Sequence, residues 1–284
     1  MLTRIAQNTK HTISTTIEVE GVATAPTGSP TVTVTDEAGT AIVTAGAATS
    51  GGVGVLQYAL TPTNTATLGL LTATWTATVG GASQQFVTQH EVVGGHVVSV
   101  AEMRRHEPLD DTTTYPTADL LRARDLATYS LERACNRGFT RHAAREVVQP
   151  SGSSYLPLRG RLVQSVSAVT IGDTALDAVE LAYVFADRAG YLHRSTGWNG
   201  TSDVTVTYEH GEQVAHPDVS RAICKIAAEV LFEDELGGEG SAIPDRATSL
   251  NTEAGTFSLV TAGVGMAAYD MPEVNRVVMD WRIP

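Results

Sequence analysis

The sequence predicts a multidomain protein, in which an N-terminal all-β immunoglobulin-like sandwich precedes an α-helical domain with an inserted small β-sheet. Three observations lead to this prediction. Residues 1–93 consist of short β-branched or alternating runs that are separated by turn signals. Two later stretches repeat apolar residues at helical spacing, and residues 145–210 between them return to strand-like runs. A chain of 284 residues is long enough to supply two cores.

The composition is typical of a globular protein without a membrane-spanning segment. Hydrophobic residues make up 42% of the chain, which is ordinary for a globular protein. No stretch approaches the roughly 20 apolar residues that span a bilayer, and the N-terminus lacks the apolar core of a signal peptide, so we expect cytoplasmic synthesis. Cys135 and Cys224 lie on apolar faces of helical patterns. In a reducing cytoplasm they are expected to be buried thiols rather than a disulfide.

The charge pattern argues against a protein that grips nucleic acid. The net charge is −12, whereas proteins that hold phosphates present basic patches. An acidic surface suits solubility, or a surface past which DNA slides without sticking. All the basic residues except Lys10 and Lys225 are arginines. This bias suits interfacial pairing with carboxylates, and a GC-rich coding sequence explains it equally well.

The N-terminal sandwich is predicted over residues 1–93. Its strands are expected at residues 12–19, 31–35, 53–60, 71–79 and 84–90. Gly80-Gly81 joins the last two of these as a hairpin. The segment carries only five acidic and two basic residues, a profile that suits a display or adhesion module better than a catalytic one.

A linker over residues 94–97 leads into the predicted α-helical domain, residues 98–240. Ser99 and Glu102 have the spacing of a capping box, and Thr117 is the expected N-cap of the next helix. That helix has an apolar stripe that ends before Gly138, composed of Leu120, Ala123, Ala127, Leu131, Ala134 and Cys135.

The inserted sheet is predicted from runs at residues 145–148, 163–171, 190–193 and 203–208. Pro217 then begins a strongly periodic helix that ends at Gly237-Gly238. The end of this helix is acidic, which is the unfavourable sign for a helix C-terminus and is consistent with either an external basic partner or solvated fraying.

Residues 241–284 are predicted to form an extended C-terminal arm. Its one apolar helical stripe, Val274, Val277, Val278 and Trp281, is too short to build a core and therefore needs a surface on which to dock. The sequence leaves open whether that surface belongs to its own domain or to a neighbouring subunit.

No constellation of residues points to an enzyme, and no catalytic, cofactor or metal site is predicted. Nucleophile elbows, Walker loops and dinucleotide fingerprints are absent from the sequence. The pairs His90 with His96 and His210 with His216 lack the spacing of a convincing metal site. Trp198 is expected to serve either as an interface contact or as a buried residue beneath the sheet.

The order of elements over residues 97–284 resembles the head–tail connector (head-completion adaptor) family of long-tailed bacteriophages and related gene-transfer particles. The family's Val-x-Val-x-Tyr-x-x-Gly strand is matched by Val204, Val206, Tyr208 and Gly211, and a Pro-initiated Ala-rich helix follows. Met271-Pro272-Glu273-Val274 resembles the family's Pro-Glu-Val close. Arg137-Gly138-Phe139 inverts the Gly-Arg-Phe order that the family shows at the end of its earlier helix.

The resemblance implies a structural virion protein at the neck, assembled in the host cytoplasm without a membrane. It implies a head-to-tail adaptor that forms a homo-oligomeric ring, expected to be dodecameric, between the portal protein and the next connector or tail protein. Genomic DNA would pass through the channel without sequence-specific binding. A ring of heterologous contacts requires two complementary patches on each subunit. The candidate interface residues are Arg122, Arg124, Arg133, Arg137 and Arg141, the acidic Glu233, Asp234 and Glu235, and the apolar Val274, Val277, Val278 and Trp281.

Two other functions remain open from the sequence. One is a different virion component, such as a tail or capsid decoration protein, that acts through the N-terminal β-domain. The other is a bacterial surface adhesin built on the same sandwich. The lack of a signal peptide and the two free cysteines weigh against the adhesin.

Overall fold

The computed structural model describes residues 2–198, 200, 202–214, 216–235, 249–252, 255–258, 269 and 271–283. The chain divides into two compact units, each assembled from two separated segments. The first, here called the β unit, contains residues 1–96 and 140–213. The second, here called the helical unit, contains residues 97–139 and 214–284.

The elements follow one another along the chain in this order. The N-terminal segment contains β1 (Thr3–Ala6), β2 (His11–Thr16), β3 (Glu18–Val19), β4 (Val22–Ala23), β5 (Thr27–Thr35), β6 (Ala41–Ala47), β7 (Thr49–Gly52), β8 (Val55–Leu60), β9 (Gly69–Val79) and β10 (Ala82–Val93). The middle segment contains α1 (Val100–Met103), α2 (Thr117–Cys135), β11 (His142–Val148), β12 (Tyr155–Pro157), β13 (Val163–Ile171), β14 (Thr174–Ala175), α3 (Ala178–Leu181), β15 (Val184–Ala186), β16 (Tyr191–Arg194) and β17 (Val204–His210). The C-terminal segment contains α4 (Pro217–Glu235), β18 (Ser249–Thr252), β19 (Gly255–Ser258) and α5 (Pro272–Trp281).

The N-terminal part of the β unit is all-β, as the sequence predicted. One sheet has the strand order β1-β10-β9-β5-β6 and another has the order β2-β8-β7. Alternate residues of β9 point inward, and Trp75 is fully buried at its centre, where its indole N–H donates to Thr88 Oγ1 at 3.0 Å. Gly80 and Gly81 both adopt positive φ and join β9 to β10, which confirms the predicted hairpin.

The prediction of an α-helical domain with an inserted small β-sheet is wrong. Among the described residues strand outweighs helix, 40% against 22%. The strands from 142 to 210 form a four-stranded sheet, β11-β17-β13-β14, and a three-stranded sheet, β12-β16-β15. These sheets bury a core of their own and share a unit with the N-terminal strands. Sequence periodicity identified the strands, but it carries no information about which segments pack together.

The helical unit forms because α2 and α4 bury their apolar faces against each other. Leu120, Leu131, Ile223 and Ala227 are among its fully buried residues. Pro217 begins α4 as predicted. Ser99 accepts a hydrogen bond from the Glu102 N–H and so caps α1. The predicted N-cap of α2 is wrong by one residue, because Pro116 holds that position and makes no side-chain cap, while Thr117 is already helical.

Candidate functional site and interaction surfaces

The predicted arginine cluster on α2 divides between the surface and the interior. Arg122 and Arg133 are exposed. Arg124 is buried beside Asp125, with its Nε and Nη2 atoms 3.0 and 2.9 Å from Asp125 Oδ1. Because the Arg124 guanidinium is buried against the carboxylate of Asp125, it is not available to a contact surface and belongs to the interior of the helical unit.

The two arginines that follow α2 lie in different units. The Arg137 guanidinium lies 5.4 Å from the centre of the Phe139 ring and 5.1 Å from that of Trp281, so it stacks inside the helical unit. Arg141 belongs to the β unit, where it donates to Gln7 Oε1 at 3.1 Å and lies 3.7 Å from Glu209. Within the helical unit, Arg122 and Arg133 are therefore the predicted arginines that remain exposed.

The acidic residues Glu233, Asp234 and Glu235 lie in the last turn of α4, and their side chains are outside the described part of the structure. Of the C-terminal stripe, Val274, Val277 and Val278 are buried within the helical unit. Trp281 packs at its margin, with its ring centre 6.1 Å from that of Phe139 in an edge-to-face arrangement. The stripe thus docks on its own unit, which was one of the two arrangements that the sequence left open.

An exposed stripe on α2 was missed by the sequence reasoning. Arg122, Leu126, Tyr129 and Arg133 follow one another at intervals of four, three and four residues, so they share the outward face of the helix. The Tyr129 side chain is more than half exposed, and Leu126 is partly exposed. We call these four residues the α2 stripe. The spacing of these residues was visible in the sequence, but only the buried stripe on the opposite face of α2 was predicted from it.

A second missed surface is the outer side of the three-stranded sheet. Tyr155 on β12, His193 on β16 and Phe185 on β15 are cross-strand partners in one row. The neighbouring row points inward, where Leu156 and Leu192 are fully buried. Tyr183 and Phe185 are 65% and 63% exposed. We call Tyr155, Tyr183, Phe185 and His193 the aromatic face.

The side chains of the aromatic face are held in place by their neighbours. The Phe185 and His193 rings stack with centres 4.9 Å apart and an interplanar angle of 10°. Tyr155 meets Tyr191 edge-on at 5.3 Å. His193 Nε2 lies 3.2 Å from Asp187 Oδ2. Burial alone would raise the pKa of Asp187, but hydrogen bonds from Tyr191 and His193 hold that pKa below its ordinary value, so the carboxylate stays charged.

A buried polar junction links the N-terminal strands to β11 within the β unit. Arg4 Nε lies 3.3 Å from Glu91 Oε2, and His142 Nδ1 lies 2.7 Å from Glu91 Oε1. The His142 ring stacks on that of His210 at 5.3 Å. These side chains are largely buried and contact one another, so the junction is a structural contact and does not form an open site.

The possible metal ligands, Trp198 and the two cysteines do not form a further site among the described residues. In the described residues no group of three or more His, Cys, Asp or Glu side chains is arranged to hold a metal ion. Trp198 is buried, and its indole N–H donates to the Leu192 carbonyl at 2.9 Å. Both cysteines are buried free thiols, and burial raises the pKa of Cys135 to about 11 and that of Cys224 to about 12. Such thiols are protonated and unreactive near neutral pH.

None of the helices in the described ranges has the length and apolar character needed to cross a membrane. No family model matches the chain, and no curated protein matches it at a significant level. Among solved structures, a chain from the neck of an empty GTA particle, computed with C6 symmetry, is similar to this one. The two are 16% identical with a TM-score of 0.42, over 66% of this chain and 90% of that chain. A score of this size does not establish a common fold.

Proposed function

We propose that this chain is a structural protein of the neck of a tailed phage or gene-transfer particle, where it acts as a head-to-tail adaptor and not as an enzyme. The proposal rests on the strand β17, in which Val204, Val206, Tyr208 and Gly211 match the Val-x-Val-x-Tyr-x-x-Gly pattern of the connector family. It rests also on the structural roles that these four residues take. It also agrees with the described residues, among which no group of three or more His, Cys, Asp or Glu side chains is arranged to hold a metal ion.

The connector-like strand is β17, which lies between β11 and β13 in the four-stranded sheet. Val204, Val206 and Tyr208 are buried on its inward side. The Tyr208 hydroxyl accepts a hydrogen bond from the Gly160 N–H at 2.9 Å and donates to Glu146. Each residue type in the motif therefore has a physical role, since the valines fill the core and the tyrosine ends in a polar partner.

The glycine of the motif ends the strand. Gly211 has a φ of 83°, a left-handed conformation that side chains rarely adopt. Its N–H donates to the carbonyls of Arg161 and Leu162, at 3.2 and 3.1 Å. Six residues later, Pro217 begins α4. The motif thus specifies a buried strand and a glycine with positive φ at its end.

We further propose that copies of the chain form a ring, expected to be dodecameric, between the portal protein and the next connector or tail protein. Two observations support a ring. The α2 stripe and the aromatic face are two different exposed surfaces on one subunit, as heterologous ring contacts require. The net charge of −12 suits a channel through which genomic DNA passes without adhering.

The N-terminal sandwich is proposed to be immunoglobulin-like. With strands named A to G in the immunoglobulin manner, β2-β8-β7 corresponds to the B-E-D sheet. The sheet β1-β10-β9-β5-β6 corresponds to G-F-C with an added C′ strand and with the first strand placed beside G. The parallel pairing of β1 with β10 supports this correspondence.

Cryo-electron microscopy of intact particles that carry this chain tests whether it lies at the head–tail junction. A ring of density at the head–tail junction that fits the β and helical units would support it. Density on the capsid surface or along the tail shaft would overturn it, and would favour a virion component that acts through its N-terminal β-domain. As a matched test, a knockout of the gene should yield filled heads and separate tails, and normally tailed particles would contradict the adaptor role.

A further inference from the structure

We infer that the aromatic face of one copy of this chain binds the α2 stripe of a second copy. This inference rests on the proposed ring, because it names the two surfaces that would meet between neighbouring subunits.

The aromatic face is a preorganised apolar surface. Three of its rings are restrained by ring contacts, because Phe185 and His193 stack on each other and Tyr155 meets the neighbouring Tyr191 edge-on. Rigid aromatic side chains lose little conformational entropy on binding, and they are enriched among residues that dominate binding energy. Tyr155, Tyr183 and Phe185 of this face are three of the 16 Phe, Trp and Tyr residues in the chain, and His193 adds a fourth ring, so aromatic rings are locally concentrated here. Exposed apolar patches of this kind mark interaction sites.

Two accessible carboxylates lie beside the aromatic face, and the exposed Arg188 follows one of them in the chain. The side chains of Asp187 and Glu180 are 40% and 48% exposed. The nearby cation Arg194 is only 19% exposed, and it is engaged with Glu180 at 3.4 Å and with the Trp198 ring. A partner that brings guanidinium groups can therefore stack on the rings and pair with the carboxylates.

The α2 stripe carries the complementary chemistry. Arg122 and Arg133 are three helical turns apart, which separates their Cα atoms by about 16 Å. Leu126 and the exposed Tyr129 lie between them. The stripe thus presents an apolar centre between two cations, whereas the aromatic face presents rings beside two carboxylates. Tyrosine and arginine are also the residue types most enriched at the centres of interfaces.

A second copy is the occupant that these observations favour. The two surfaces are complementary, they occur once each on every copy, and both are exposed in the single chain. A nucleic acid does not fit, because exposed carboxylates border the face and would repel phosphates. A contact between two different patches of identical chains is heterologous, so it can propagate around a ring.

Cysteine crosslinking between separately purified full-length variants tests the contact. Tyr183→Cys chains mixed with Arg133→Cys chains should form disulfide-linked heterodimers under mild oxidation. Val147→Cys provides the matched control, because Val147 is also 65% exposed but lies on β11, in a different sheet. The native thiols do not interfere, since Cys135 and Cys224 are buried. Equal yields from the Tyr183 and Val147 pairs, or no crosslink from either, would overturn the inference.

Self-association measured by sedimentation velocity provides a second readout. Phe185→Ser and Arg133→Glu should each weaken self-association by roughly tenfold or more, which is the typical loss at an interfacial hot spot. Val147→Ser and Arg105→Glu are matched controls for the loss of an exposed apolar side chain and for the charge reversal, and they should leave association unchanged. A chain that stays monomeric up to the highest soluble concentration would overturn the inference.

The two proposals can fail separately. If particles show a neck ring whose subunits touch through other surfaces, the adaptor function stands and this contact is refuted. If the crosslink forms as expected but the chain is found on the capsid or tail shaft, the contact stands and the adaptor function is refuted. Crosslinking of Tyr183→Cys to a different virion protein, with none to Arg133→Cys, would also refute the contact between copies.

Discussion

His142 Nδ1 lies 2.7 Å from Glu91 Oε1, and this contact joins the end of β10 to the beginning of β11. The other carboxylate oxygen lies 3.3 Å from Arg4 Nε on β1. All three side chains are largely shielded from water. The first strand of the chain, the last strand of the sandwich and the first strand of the following sheet therefore meet at one carboxylate.

Replacing this carboxylate with a neutral amide should destabilise the β unit. Glu91→Gln removes the carboxylate charge beside the buried Arg4 guanidinium, and breaking a buried pair from one side costs about 3–5 kcal/mol. Urea denaturation of the full chain measures the loss. The control is Glu209→Gln, which removes the exposed pair with Arg141 and should cost at most about 1 kcal/mol. Similar losses for the two variants would show that the junction contributes no more than a surface pair.

Much of the fold could be predicted from the sequence because the periodicity of buried residues is a local property. The alternation along β9 and the stripe of α4 were both read correctly. The assembly of segments into units is a non-local property, so the sequence reasoning placed the strands after α2 inside a helical domain. The apolar patterns of α2 and β17 indicate which face of each element is buried, but they do not indicate which other element packs against that face.

The candidate site was predicted less well, for reasons that differ between residues. Arg124 follows Leu120 by four positions, so helical spacing alone places it on the buried face, and this signal was overlooked. The aromatic face depends on β12 and β15, which are three residues long and too short for a reliable alternation. Only the cross-strand register brings Tyr155 and Phe185 to the same side.

Gly160 should tolerate no side chain. A Cβ atom there would lie 2.6 Å from the His210 ring and 2.8 Å from the Tyr208 ring. Gly160→Ala must therefore displace the His210 and Tyr208 rings and weaken the Gly160–Tyr208 hydrogen bond, with an expected loss of about 2–3 kcal/mol. Thermal unfolding followed by near-ultraviolet circular dichroism measures it.

Gly152→Ala is the control for that substitution. Gly152 has a φ of 79°, but nothing lies within 4 Å of the position that its Cβ would take. Only backbone strain of about 1 kcal/mol is expected. If Gly160→Ala proved no worse than Gly152→Ala, the close packing around Tyr208 would be refuted.

Because its two cysteines are buried, the protein should lose stability at alkaline pH. Burial raises the pKa of Cys135 to about 11 and that of Cys224 to about 12, above the value of about 8.5 in an unfolded chain. The folded state then holds these protons more tightly than the unfolded state. Their contribution is complete below about pH 8.5 and is lost progressively as the pH rises through the folded pKa values.

Urea denaturation at a series of alkaline pH values measures this contribution. A Cys135→Ala, Cys224→Ala double variant should lose less stability between about pH 8.5 and about pH 11 than the unmodified chain does. Ultraviolet thiolate absorbance gives a direct readout, because the native chain should develop it at higher pH than the urea-unfolded chain. Coincident titrations of the native and unfolded thiols would contradict the burial of both groups.

The C-terminal helix offers a test of whether its apolar stripe contributes to the helical unit. Val274 is 0% exposed in that unit, whereas Met279 on the same helix is 77% exposed. Val274→Ala removes two buried methyl groups and leaves a cavity, so the free energy of unfolding should fall by about 2 kcal/mol. Met279→Ala should change it by less than about 0.5 kcal/mol, because the side chain already lies in water. Urea denaturation of the full chain compares the two variants. Equal and negligible effects would mean that α5 does not dock on its own unit in solution, and would restore a neighbouring subunit as the surface that the stripe needs.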